Sequence, residues 1–195
     1  MRVIGLTGGI GMGKSTAAAA FRRAHLPVFD ADAEVHKLQA KGGAALPAIA
    51  AQFPGSVIDG VLQRPVLRQA VLGHPDALRA LERILHPRVR AAERRFLAQA
   101  RSSGAKVAVL DVPLLFETGG ERRVDEIVVV SAPRAIQIAR VRRRQKMAPE
   151  QIAAVLARQM PDAEKRRRAD RIIHTGLSRF HALRQLKRLI QEWQS

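Results

Sequence analysis

The chain has 195 residues and a mass of 21.4 kDa, with 47% apolar and 26% charged residues. That balance suits one α/β domain with insertions and excludes a wholly disordered or collagen-like chain. Cysteine is absent, which removes disulfides, thiolate nucleophiles and thiolate metal sites together and fits a reducing compartment. The 34 Lys and Arg against 17 Asp and Glu give a net charge of +17, which points to anionic partners. The excess is concentrated late: residues 1 to 60 carry six cations and four anions, residues 140 to 171 eleven and four. With six Phe, one Trp and no Tyr, the chain lacks the aromatic platforms on which single-stranded nucleic acid stacks.

Arg2-Val3-Ile4-Gly5-Leu6-Thr7 predicts a short buried strand, followed by a glycine cluster and an Ala-rich helix from about Lys14 to Ala24. The strand pattern starts at once, leaving no room for a signal peptide, and the longest apolar runs fall far short of the roughly 18 residues of a membrane span. A soluble, cytoplasmic protein is therefore expected. Pro27 to Asp30 predicts a second strand, and helical character resumes from Ala31 to about Gln39. From Gly43 to about Arg101 the apolar positions recur at helical spacing and no strand is expected. Gly73-His74-Pro75 and His86-Pro87 there read as loops or helix starts. Lys106 to Asp111 and Glu126 to Val130 are continuous apolar runs, as in a parallel sheet covered on both faces. Pro133 to about Arg144 predicts a very basic helix, Pro149 another helix start, and Arg171 to His174 a last strand. Phe180, Leu183, Leu186, Leu189, Ile190 and Trp193 form the apolar stripe of a closing amphipathic helix. Five strands alternating with helices predict a doubly wound parallel sheet with helical insertions.

Gly8-Gly9-Ile10-Gly11-Met12-Gly13-Lys14-Ser15 satisfies G-x4-G-K-[ST] between a strand and a helix, the setting a phosphate-binding loop requires. Glycines let successive backbone N–H groups converge on phosphate oxygens, Lys14 reaches the β- and γ-phosphates, and the Ser15 hydroxyl suits Mg²⁺. Such a loop alone does not separate a GTPase, a motor and a small-molecule kinase. Asp30-Ala31-Asp32 follows strand two at the carboxyl edge of the sheet, where a carboxylate is placed to accept a proton from an acceptor hydroxyl. Asp30 fits a helix cap and Asp32 a functional carboxylate. Asp111, ending the third strand, fits either a Mg²⁺-shell carboxylate or a cap. His86 and Glu117 are open between structural and substrate roles.

The run Ile4 to Thr16, with Asp30-Ala31-Asp32, Leu85-His86-Pro87 and Val112-Pro113-Leu114-Leu115-Phe116-Glu117 in that order, closely resembles the dephospho-coenzyme A kinase family from Met1 to about Gly176. The resemblance implies a P-loop NTPase fold with a five-stranded sheet: core 1–31, 104–138 and 166–195, a helical coenzyme A-binding insertion at 32–103, and a lid at 139–165. It implies phosphorylation of the ribose 3′-hydroxyl of dephospho-coenzyme A by Mg-ATP, the last step of coenzyme A biosynthesis. ATP and Mg²⁺ are the implied cofactors. Asp32 would be the general base, with Lys14 and Arg140 at the transferred phosphoryl group. Gly9, Ile10, Gly11, Met12, Gly13, Lys14, Ser15, Thr16 and Arg144 would bind nucleotide, with Ser15 on the metal. Arg142 and Arg143 read as surface or steering charges, and Arg64 and Arg68 match the family's L-x-R-x-x-L-R pattern. The chain departs from the family at Met12, where a small residue is usual, and at His25, commonly glycine. It departs again at Gln145, often Asp, and at Thr175, usually Asn. The two polyanionic substrates account for the cationic excess without a specific nucleic-acid partner. No membrane association is expected, and a monomer or weak homo-oligomer is.

Overall fold

The N-terminal apolar run pairs with the two mid-chain runs in a computed structural model, which describes residues 1–145 and 159–194 and, within these, sets aside the side chains of Arg144 and Gln145. The helix start at Pro149 and the centre of the 139–165 segment lie outside the described residues. Strands β1 (Arg2–Thr7), β2 (Val28–Asp30), β5 (Val107–Asp111), β6 (Glu126–Ser131) and β7 (Arg171–His174) form one sheet in the order β2-β5-β1-β6-β7. The β1–β5, β1–β6 and β6–β7 pairs are parallel, with Ile4 opposite Val109 on one side and Glu126 on the other. All five strands were legible as short, mainly apolar runs, because a parallel sheet buried on both faces needs no polar alternation.

The contacts divide the chain into one unit of Met1–Phe29 with Gln99–Ser195, and a second of Asp30–Ala98. In the first unit, α1 (Lys14–Arg23) and the closing helix α8 (Arg179–Gln194) share a core with the sheet. Phe21 is fully buried there, its ring centroid 5.5 Å from that of Trp193, above Ile4, Leu6, Val109, Val128 and Val130. Helix α1 ends in two crossed hydrogen bonds, from Leu26 N–H to the Phe21 carbonyl and from His25 N–H to the Arg22 carbonyl, with His25 at φ 60°. This is the left-handed cap that glycine usually supplies, kept here by a histidine. Phe180 departs from the expected stripe: it is 73% exposed, and Arg184, one turn on, lays its guanidinium over the ring at 5.7 Å. The ring thus meets an arginine of its own helix and lies outside the core.

The second unit packs α2 (Ala31–Leu38), α3 (Leu46–Gln52), α4 (Arg64–Val71) and most of α5 (Pro75–Ser102) around Leu38, Leu46, Ile49, Phe53, Leu67, Leu81 and Leu85. Two expectations fail in this region. A hairpin of β3 (Val57–Ile58) and β4 (Val61–Leu62) stands where only helices were expected. Its turn is Asp59-Gly60 with φ 50° and 71°, the two positive angles that a tight hairpin turn demands. Strands of two residues are too short to show alternation, so the dipeptide was the only available signal. The break expected at His86-Pro87 does not occur either, because Pro87 lies inside α5. Arg88 donates to the Ile84 carbonyl at 2.7 Å and to the Ala44 carbonyl at 3.2 Å, adding side-chain bonds beside the turn in which the proline supplies no N–H.

Truncating Phe21 to Ala removes a fully buried ring from the sheet–helix core. Unfolding in urea is expected to show a loss of about 3–5 kcal/mol, with little change in m-value.

Candidate active site

The residues that follow β1 leave the sheet as Gly8-Gly9-Ile10-Gly11-Met12-Gly13 and enter α1 at Lys14. Glycine is demanded by geometry at Gly11 and Gly13, and at Gly8, where a Cβ would lie 2.6 Å from the Val130 carbonyl oxygen. Gly13 caps α1 at φ 98°, and Gly11 sits at φ 75° where a Cβ would lie 2.7 Å from Val141 Cγ2 and 2.9 Å from the Gln137 carbonyl oxygen. At Gly11 the loop is therefore pressed against α6 (Arg134–Gln145) with no room for a side chain. Beyond it, the first N–H groups of α1 have no partner within the helix, which leaves Lys14 and Ser15 at an anion-binding end.

Lys14 and Asp111 meet here. The ammonium lies 2.6 Å from Asp111 Oδ1, and their side chains are 16% and 4% exposed. Asp111 ends β5, the immediate neighbour of β1 in the sheet, so parallel pairing carries its carboxylate to the glycine loop. Ser15 is exposed and Thr16 half-buried in the first turn of α1. Gly9, Ile10, Gly11, Met12, Gly13, Lys14, Ser15 and Thr16 thus form one continuous loop and helix start, with Asp111 beside it.

Met12 is 3% exposed and tucked inward. Its sulfur accepts the Ala132 N–H at 3.1 Å, and its carbonyl accepts the Thr175 hydroxyl at 2.6 Å. Arg140 donates to the same hydroxyl at 3.0 Å and to the Thr175 carbonyl at 2.6 Å. The arginine singled out from the basic stretch therefore touches the loop through one threonine, and the two departures at positions 12 and 175 are in contact with each other. Arg142 and Arg143 are exposed, and the side chain of Arg144 lies outside the described residues. A cavity of about 1310 Å³ opens at the carboxyl ends of β6 and β7, lined among others by Ala132, Gln137, Asp162, His174 and Gly176. Ligands of open α/β sheets bind at such strand ends.

In the second unit, Asp30 caps α2 by accepting the Ala33 N–H at 3.0 Å, and Asp32 is exposed in the first turn of that helix. His86 stands half-buried with Arg79, Arg83 and Arg90 around a cavity of about 350 Å³. Arg64 reaches His36 at 3.4 Å, and Arg68 is exposed. Sequence reasoning missed Gln137, Gln159 and Lys165. The first two bond the Ile10 backbone, and the third is 1% exposed against Glu117. No motif marks a glutamine that serves a main-chain group, and Lys165 is the first cation of a run that continues as Arg166-Arg167-Arg168.

A family model described as dephospho-CoA kinase matches residues 2–178. The dephospho-CoA kinase of Rhodopseudomonas palustris strain HaA2 is 52% identical over 192 residues, covering 98% of this chain and 94% of its own. A solved structure from Thermus thermophilus superposes with a TM-score of 0.86 at 36% identity, covering 98% of this chain and 97% of that one. The dephospho-CoA kinase structure from Campylobacter jejuni shares the fold, with a TM-score of 0.66 at 23% identity over 98% and 97%.

Thr175→Val keeps the shape of the side chain and removes the hydroxyl between Met12 and Arg140. The variant is expected to lose about 1–3 kcal/mol in chemical denaturation, because buried partners are left unsatisfied, while Thr175→Ser stays close to the parent.

Proposed function

The chain belongs to the dephospho-CoA kinase family, and on that premise we propose that Lys14, Asp32 and Arg140 carry the transfer of the ATP γ-phosphoryl group to the ribose 3′-hydroxyl of dephospho-CoA. The activity itself is the ATP-dependent phosphorylation of dephospho-CoA, the final step of coenzyme A biosynthesis. The observation that carries the reading of the site is the Lys14–Asp111 pair at the mouth of a glycine loop that opens a helix.

In this reading the segment from Gly9 to Thr16 receives the phosphates, through N–H groups at the start of α1 such as those of Lys14 and Ser15, and Lys14 exchanges part of its contact with Asp111 for phosphate oxygens. The transferred group passes through a loose transition state with charge spread over its oxygens, so positioned cations supply most of the catalysis. Arg140 is the cation placed for that charge, and Arg144 follows it one helical turn on. Asp32 takes the proton of the 3′-hydroxyl as the oxygen attacks phosphorus, and ADP leaves with the electrons of the broken bond. Asp32 is exposed, as a carboxylate that must meet an acceptor from solvent requires.

Among the described residues no three His, Asp or Glu side chains are grouped to hold a metal ion, whereas the Ser15 hydroxyl and the Asp111 carboxylate are hard oxygen donors at the loop. That donor set fits Mg²⁺ delivered with nucleotide, which keeps most of its shell as water and phosphate. When bound, the ion neutralises charge on the β- and γ-phosphates. We further read 32–103 as the acceptor-binding insertion and 139–165 as the lid. The protein works in the cytoplasm as a monomer or weak homo-oligomer, without a specific nucleic-acid partner. Among the described residues no helix is long and apolar enough to cross a membrane.

The test is ADP formation from Mg-ATP with and without dephospho-CoA. Release is expected to depend on the acceptor and to fall by about 10²–10⁴-fold in Asp32→Asn, which keeps the size of the side chain and removes the base. ADP release indifferent to dephospho-CoA would overturn the reading.

A further inference from the structure

Lys165 in α7 (Asp162–Arg167) is 1% exposed, and its ammonium lies 2.9 Å from Glu117 Oε1 and 3.3 Å from the Pro113 carbonyl oxygen. A buried ion pair is weak evidence of stabilisation, because desolvation cancels much of the attraction. Its partners suggest another use. Glu117 Oε1 also accepts the Met160 N–H at 2.7 Å. The residue before Met160 is Gln159, whose Oε1 accepts the N–H of Ile10 in the glycine loop at 3.0 Å. Gln137 closes the other side, donating to the Ile10 carbonyl at 2.8 Å. Both polar backbone groups of Ile10 are therefore held by glutamines. The Pro113 carbonyl that receives Lys165 also receives the hydroxyl of Thr7 at 3.0 Å, on the last residue before the loop. One connected set of bonds thus grips the loop at its entry and at its third residue.

We propose that Glu117 is a positioning residue for phosphoryl transfer, acting through Met160 and Gln159 to hold the Ile10 peptide in place before nucleotide arrives. The proposal rests on the reading of this loop as the ATP phosphate site. A glycine-rich loop loses much conformational freedom when it closes on a ligand, and a loop already held loses less on binding. The amide of Gln159 suits the task because it accepts from Ile10 N–H without bringing a negative charge beside phosphates. Glutamate at this position would accept as well and repel the nucleotide. Glu117, open between loop and substrate roles in the sequence, serves the loop.

The experiment compares the parent protein with Gln159→Ala, Glu117→Gln and their combination. It measures ATP affinity by titration calorimetry, the KM values for ATP and dephospho-CoA, kcat, and hydrogen exchange of the Ile10 amide by NMR. Gln159→Ala is expected to weaken ATP binding and raise its KM by about 3–10-fold, the worth of one hydrogen bond. It should leave the KM for dephospho-CoA unchanged and speed Ile10 exchange in the unliganded protein. Glu117→Gln should act in the same direction and more weakly, and the combination should be no worse than Gln159→Ala alone, since Glu117 acts only through Gln159. Because Glu117→Gln leaves a buried ammonium uncompensated, the paired replacement Glu117→Leu with Lys165→Met is measured beside it. That variant restores an apolar fit and removes the acceptor of Met160 N–H outright, so it should show faster Ile10 exchange than Glu117→Gln.

Three results would overturn the proposal: unchanged Ile10 exchange and ATP affinity in Gln159→Ala, independent multiplying effects in the combination, or tighter ATP binding once Gln159 is shortened. The last would make the side chain a stand-in for phosphate. A parent protein that binds ATP but forms no ADP with dephospho-CoA defeats the assigned reaction instead, and calorimetry and exchange tell the two failures apart.

Discussion

Four glycines in the six residues from Gly8 to Gly13 leave a loop with almost no side chains by which to keep its own shape, so its shape has to be imposed by what surrounds it. Each neighbouring element contributes one main-chain contact. Helix α6 supplies Gln137 to a carbonyl, the turn after β7 supplies the Thr175 hydroxyl to another, and the segment before α7 supplies Gln159 to an N–H. Of the two bulky side chains inside the loop, that of Met12 turns inward, where its sulfur receives Ala132 N–H. The sheet order makes this convergence feasible, because β1 lies between β5 and β6, and α6 and Thr175 follow the ends of β6 and β7 on the same edge. The fold is in this sense a frame around a short piece of bare backbone.

The sequence displays the parts of this frame that work through periodicity or main-chain freedom. Continuous runs such as Val107-Ala108-Val109-Leu110 announce strands buried on both faces, and the glycine spacing before Lys14-Ser15 announces the loop. What stays hidden works by single long-range contacts. Nothing local to Thr175 says that its hydroxyl will reach Met12, 163 positions away, and nothing local to Lys165 says that it alone in a run of four cations will be buried. The hairpin at Asp59-Gly60 is a different case, since its signal was present in two residues and its strands were too short to reinforce it. Pro87 misled for a reason of energy: the sum of the packing along α5 outweighs one missing donor and one misfitting ring. Of the carboxylates, Asp30 was readable as a cap because the requirement is met within three residues.

The charge distribution separates two uses of the same residue type. Arg142 and Arg143 are exposed, where a guanidinium mainly contributes to the long-range field that draws anions inward. Arg140, one turn earlier on the same helix, is half-buried and fixed by a forked pair of bonds to a single threonine, a geometry lysine does not reproduce. A basic helix of this kind cannot be sorted by composition; burial does the sorting.

The inward turn of Met12 brings a thioether against the glycine loop in a chain without cysteine. Oxidation of that thioether would add an oxygen to a side chain 3% exposed, in a space already filled by Ala132 and Thr175. Burial slows the attack, but damage that does reach the sulfur distorts the glycine loop from within, and it is reversible only as far as a sulfoxide reductase can reach the side chain.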